Sequence, residues 1–143
     1  MKNTLIVILM ALVLYSCASD EQQQPSKTFP PGYTGPAIME ATPWEVTLIS
    51  GSTSYIYVTV MDPHRNPLPG QTVTISFDSA AKVIAYLQAD QCNPITNEKG
   101  QAWFVIAGTG FPNNGHITLS CGEASATIEV WTRGYRPYGG RGG

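Results

Sequence analysis

Charge is scarce in this chain. Only 13 % of its residues are Asp, Glu, Lys or Arg, and the net charge is −2. A nucleic-acid partner needs a basic face to meet phosphates, so the composition argues against one. Long apolar runs are missing after Cys17, and no segment there is long enough to cross a bilayer as a helix. Helical periodicity of useful length is missing as well. His64, His116, Asp62 and Asp90 lack the spacing of a metal site. No glycine-rich phosphate loop and no nucleophile elbow occurs, and nothing singles out a carboxylate pair for sugar hydrolysis. These absences lead us to expect a noncatalytic protein with no cofactor and no bound metal.

What is present begins with Lys2 and the apolar run Leu5–Leu14, followed by Tyr15-Ser16-Cys17. A charged start, a short apolar core and small residues make up a secretory signal peptide. The run resembles a bacterial lipobox, which implies cleavage before Cys17 and acylation of that cysteine, palmitate included. Tyr15 departs from the pattern, where a smaller residue is usual. The other reading is an ordinary signal peptide with an incidental cysteine. Each buried methylene contributes about 0.8 kcal/mol, so several acyl chains would hold the protein to a membrane. The expected location is the bacterial envelope, lipid-anchored at the outer membrane, facing the periplasm or the surface. Asp20 and Glu21, close behind the lipidated residue, resemble a surface-export signal of some Bacteroidetes lipoproteins.

Four segments follow from this reading: a signal peptide at 1–16, a lipidated flexible tether at 17–36, a compact domain at 37–131 and a tail at 132–143. The tether offers glutamine, proline and glycine with no apolar period. The domain carries many strand patterns between turns. Ile38–Ala41 and Glu45–Ile49 read as one first strand interrupted at Pro43. Ile56, Val58 and Val60 share one face, as do Val73, Ile75 and Phe77. Val83–Leu87 is a shorter run. Ala102, Phe104 and Ile106, then Ile117, Leu119 and Cys121, then Ala126, Ile128 and Val130 give three more inward faces. Frequent turns and period-two alternation predict an all-β, seven-stranded antiparallel sandwich. Cys92 and Cys121 form an even pair in an exported domain and read as one disulfide. Closing a loop of roughly 30 residues would contribute about 3 to 4 kcal/mol.

Three stretches resemble one family. Val58-Thr59-Val60-Met61-Asp62 leads into Asn66-Pro67-Leu68-Pro69-Gly70-Gln71-Thr72-Val73. Thr96-Asn97-Glu98-Lys99-Gly100-Gln101-Ala102 follows. Gly115-His116-Ile117-Thr118-Leu119 and Ala126-Thr127-Ile128-Glu129-Val130 come last. In order and spacing they resemble the group 1 bacterial Ig-like domains of intimins and invasins. The first two also resemble the carboxypeptidase regulatory-like domain, another β-sandwich. The resemblance implies an Ig-like sandwich serving as a spacer or adhesive module, with no catalytic residues. It implies that Cys92 and Cys121 lie at one pole, with the tether, and that the C-terminus leaves from the other.

Function then falls to two features. If Ile56, Val58 and Val60 point inward, Tyr55 and Tyr57 point out; if Phe104 and Ile106 point inward, Trp103 and Val105 point out. The strands that carry these two pairs are neighbours in an Ig-like sheet, so these four residues are expected to form one exposed patch. Such a patch suits protein contact or sugar stacking, or else simple cross-strand pairing. The second feature is the tail with Tyr135, Arg136 and Tyr138. It reads either as a segment that orders on a partner or as a disordered end. The expected partners are the membrane, through the N-terminal lipid, and an envelope or surface protein, with a glycan as the alternative.

Overall fold

The computed structural model describes residues 27–133. Eight strands form two four-stranded sheets. They are β1 (Ile38–Thr42), β2 (Glu45–Leu48), β3 (Thr53–Met61), β4 (Thr74–Phe77), β5 (Ala85–Leu87), β6 (Gln101–Gly108), β7 (Asn113–Cys121) and β8 (Ala124–Thr132). A single helical turn, α1 (Ala81–Ile84), precedes β5. One sheet runs β1-β3-β6-β5 and the other β2-β8-β7-β4. In immunoglobulin lettering these are A-B-E-D and A′-G-F-C, so the fold is an Ig-like sandwich.

The eighth strand arises at Pro43. The expected single first strand is two strands on different sheets, with β1 antiparallel to β3 and β2 parallel to β8. Proline lacks the N–H that a continuous ladder would need, so pairing stops there and the chain crosses between layers. The short run before Leu87 also divides. Ala81 and Ile84 turn into the core while Val83 is left exposed, and only Ala85–Leu87 pairs with β6.

The core is built from the alternating residues of both sheets. Ile56, Val58, Val60, Phe104, Ile106, Ile117, Leu119, Ile128 and Val130 are all buried. Burying each such side chain contributes roughly 1.5 to 3 kcal/mol relative to exposure.

Local chemistry fixes the loops at one pole. Asp62 is buried, and its Oδ1 accepts the His64 and Asn66 N–H groups, both at 2.8 Å. Its Oδ2 accepts from Asn66 Nδ2 at 2.8 Å. This aspartate closes β3 into the following loop, as turn aspartates do. Asn97 Oδ1 accepts the Lys99 and Gln101 N–H groups at 2.9 and 3.0 Å, shaping the turn into β6. Gly100 in that turn has φ +70°, and a Cβ there would lie 2.7 Å from the Val60 carbonyl oxygen. Only glycine meets both conditions.

Residues 27–36, expected as part of a tether, lie against the β7–β8 turn. Tyr33 N–H closes a turn to Pro30, Tyr33 Oη donates to the Pro36 carbonyl, and the Phe29 and Tyr33 rings stack at 5.1 Å. Lys27 Nζ reaches the Glu123 carbonyl at 2.8 Å. Both charged groups are exposed, so this pair contributes little to stability.

Candidate functional site

The two outer faces of the sandwich differ in chemistry. The β2-β8-β7-β4 sheet shows solvent Thr74, Ser76, His116, Thr118, Thr127 and Glu129, with Trp131 near one end. The β1-β3-β6-β5 sheet shows aromatic rings instead. Register places Tyr57 opposite Trp103 and Tyr55 opposite Val105. Tyr55 and Tyr57 are 48 and 54 % exposed, and their rings lie 6.0 Å apart at an interplanar angle of 12°. Both rings therefore reach solvent as a near-parallel pair.

Trp103 is half-buried. Its backbone exchanges two hydrogen bonds with Asn93, at 2.9 and 3.0 Å, so the β5–β6 connection runs along β6 at that point. Val105 departs from expectation: it is fully buried. Alternation does turn it to the outer side, but the same connection covers it. Gln88 N–H donates to the Val105 carbonyl at 2.8 Å, and Val105 N–H donates to Cys92 Sγ at 3.3 Å. A short side chain set among taller neighbours takes no part in the exposed surface.

Tyr86 joins the face although its sequence did not single it out. It pairs with Ala107 from β5 and is 50 % exposed. Ala85 is buried and Leu87 packs against the core, so the alternation Ala85-Tyr86-Leu87 carried the signal. The exposed aromatics of the face are thus Tyr55, Tyr57 and Tyr86, and Trp103, expected to be exposed, lies half-buried among them because the β5–β6 connection runs beside it.

The expected disulfide is absent: Cys92 and Cys121 are both free. Cys121 belongs to β7 and the core, whereas Cys92 sits in the β5–β6 connection beside the other sheet. Cys92 Sγ donates to the Gln88 carbonyl at 3.2 Å as well as receiving Val105 N–H, which gives the thiol two local partners. Burial pushes the Cys121 thiol above its usual pKa and keeps it protonated. The expected meeting at one pole does not occur: Cys92 Sγ lies against Val105 inside β6, whereas Cys121 ends β7.

The remaining polar candidates serve the backbone. Asp62 is held below the usual carboxylate range by the Asn66 side chain first, then by backbone N–H groups, against the opposing effect of burial. Asp78 accepts Ala81 N–H at 2.6 Å and His116 N–H at 2.9 Å, and its Oδ2 lies 3.2 Å from His116 Nδ1. These bonds, that of Ala81 foremost, hold the Asp78 carboxyl low. His64 and Asp90 are exposed. Among the described residues, no group of three or more His, Cys, Asp and Glu side chains is arranged to hold a metal ion. Cys17, Tyr135, Arg136 and Tyr138 lie outside the described residues.

Solved structures share this fold. The chain is similar to the S-layer protein SbsC, with 15 % identity over 69 % of this chain, 13 % of that chain and a TM-score of 0.57. It is also similar to FdeC, an Escherichia coli adhesin, with 12 % identity over 73 % of this chain, 33 % of that chain and a TM-score of 0.54. The chain therefore spans only a small part of the proteins it matches, and identities this low show the fold alone. No protein-family model matches the chain, and no curated protein matches it. Fold and faces together define an all-β Ig-like module with one aromatic outer face. Domains of the same fold occur in bacterial surface proteins.

Proposed function

We propose that this protein is a noncatalytic, membrane-anchored lipoprotein of the bacterial envelope whose Ig-like domain binds a protein partner in an envelope or surface assembly. The observation that carries the binding reading is the placement of Tyr57 against Trp103, beside Tyr55, on neighbouring strands of one outer face. Exposed aromatic groups of this size anchor protein contacts. Adhesin and S-layer proteins among the structural neighbours support a surface role. The Leu14-Tyr15-Ser16-Cys17 run supports acylation at Cys17. The anchor and the resulting outer-membrane location are part of the proposal.

The test is co-purification of the native lipoprotein in mild detergent, with Tyr57→Ala and Trp103→Ala variants beside it. Loss of one co-purifying protein in both variants, with the fold kept, supports the reading. Equal recovery from all three sinks it. Retention on a glycan array that both variants lose, with no protein partner, would assign the face to carbohydrate. Cys17→Ala addresses the anchor separately: it should release the protein from the membrane fraction or leave its precursor uncleaved. An unmodified N-terminus at another residue would rule out acylation.

A further inference from the structure

Of the four edge strands of the two sheets, three are blunted against pairing with another chain. β1 carries Glu40, paired with Arg65, and runs into Pro43. β2 follows Pro43 and begins with Glu45. β5 has three residues. Charge, proline and shortness are the usual protections of a sheet edge. β4, Thr74-Ile75-Ser76-Phe77, has neither charge nor proline, and the uncharged run reaches back to Gln71.

Hydrogen-bond phase shows what this edge offers. Thr74 stands opposite Ser120 and Ser76 opposite Thr118 on β7. Asp78 N–H, next in the same series, donates to the His116 carbonyl at 3.0 Å. Antiparallel positions alternate between bonded and unbonded, so Thr74 and Ser76 bond toward β7. Val73, Ile75 and Phe77 then turn their backbone groups to the open side. Val73 fits this phase, since its N–H donates to the Pro94 carbonyl at 2.8 Å. That cover stops at Pro94, because Asn93 bends away to pair with Trp103. Among the described residues, nothing takes the N–H and C=O groups of Ile75 and Phe77 on that side. Such unpaired groups are a template for one more strand.

We propose that the strand is β4 of a second copy, antiparallel about a two-fold axis at Ser76. In that register Ile75 of each copy lies opposite Phe77 of the other, and every one of the open groups finds a partner. An axis at Ile75 would set Phe77 against Val73, whose edge Pro94 already holds. An axis at Phe77 would set Ile75 against Ser79, where the chain has turned toward α1. On the solvent side Ser76 meets Ser76 and Thr74 meets Asp78, so no like charges are opposed. The two-fold also sets α1 of one copy beside segment 94–96 of the other, where Val83 and Ile95 are 53 and 52 % exposed. A strand this short spans about 14 Å, so the contact falls below the roughly 1,200 Å² of stable complexes. The dimer is therefore weak and concentration-dependent. It uses the sheet opposite the aromatic face and is independent of that face.

Crosslinking of the full chain reads the register. The two Ser76 Cα atoms would lie about 4.5 Å apart, within disulfide reach. The two Thr74 positions would be separated by about 14 Å. Both residues are exposed on one strand, so Thr74→Cys controls for reactivity. Under a mild oxidant, Ser76→Cys should give dimers linked at position 76 at least ten times faster than Thr74→Cys gives dimers linked at 74. Mass spectrometry maps the bond, and unchanged near-UV circular dichroism shows that the fold is kept. In sedimentation the unsubstituted chain should shift toward dimer as concentration rises, while Ser76→Lys, which opposes two like charges, stays monomeric. Equal crosslinking at the two positions would overturn the proposal, as would a dimer that Ser76→Lys leaves intact. An unsubstituted chain that stays monomeric throughout would also overturn it, leaving the edge to a strand of another protein.

Discussion

Thr96 joins two loops that are far apart in sequence: its Oγ1 donates to the Leu68 carbonyl at 2.6 Å. The same oxygen accepts Gln71 N–H at 2.8 Å. Two backbone bonds run alongside, from Gly70 N–H to Thr96 and from Thr96 N–H to Gln71. Thr96 is itself buried, so its hydroxyl depends on these two partners. One hydroxyl thus ties the β3–β4 connection to the β5–β6 connection, and the latter forms one margin of the aromatic face.

Thr96→Val keeps the shape and removes the hydroxyl. It leaves the half-buried Leu68 carbonyl and Gln71 N–H without this partner, which costs about 1 kcal/mol. Denaturant unfolding of the two proteins measures this directly. A change below about 0.5 kcal/mol would mean that the loops hold together without the hydroxyl.

Gly100→Ala is expected to cost more than Gly70→Ala. Both glycines have φ +70°, so both substitutions carry the backbone penalty of about 1 kcal/mol or more. Only at Gly100 does the new Cβ meet backbone, at 2.7 Å from the Val60 oxygen, whereas Gly70 faces open space. Thermal or denaturant unfolding should rank the variants in that order. Equal losses would show that the close approach is relieved cheaply.

The thiols make a prediction of their own. Denatured under non-reducing conditions, the domain should release two reactive thiols, from Cys92 and Cys121. In the native state Cys121 should react slowly, because burial keeps its thiol protonated and covered. Half-buried Cys92 should react first. Mass spectrometry after alkylation distinguishes the two sites, and a chain that takes up no alkyl group and is two hydrogen atoms lighter than the dithiol would restore the disulfide.

The inward faces of β3, β6, β7 and β8 were readable because period-two alternation needs no knowledge of neighbours. Ile56, Phe104, Ile117 and Ile128 all lie where alternation placed them. Pairing of β3 with β6 followed once the Ig-like order was recognised, and Tyr57 does face Trp103. Val105 was misread because alternation gives a side of the sheet and says nothing of what lies over it. Residues 88–92 cover it through contacts that have no periodic signature. Cys92 and Cys121 failed for a related reason: an even count and an expected order of strands fix neither the distance nor the direction of the two sulfurs. Tyr86 was hidden in a run too short to show its alternation, since β5 has three residues.

Acid should weaken the domain through Asp62 and Asp78. Both carboxyls are held below their ordinary range by hydrogen bonds to the charged form, from Asn66 at Asp62 and from Ala81 and His116 at Asp78. A folded pKa below the unfolded value means that the unfolded chain binds protons more readily. The stabilisation is therefore fully present above the unfolded carboxylate range and is lost as pH falls through the folded values. Stability measured by denaturant unfolding should be steady near neutral pH as far as these groups are concerned and decline below about pH 4. Asp78→Asn should flatten part of that decline, because one proton-linked group is gone. It should also loosen the start of α1, whose Ala81 N–H depends on the carboxylate at 2.6 Å. His116→Gln separates the two contributions of the Asp78 site. It keeps the backbone bond from residue 116 and removes the ring, so most of the acid sensitivity should remain. If instead the glutamine variant loses the acid sensitivity as fully as Asp78→Asn, the side-chain pair with His116 outweighs the bond from Ala81, and the order of causes at Asp78 is reversed.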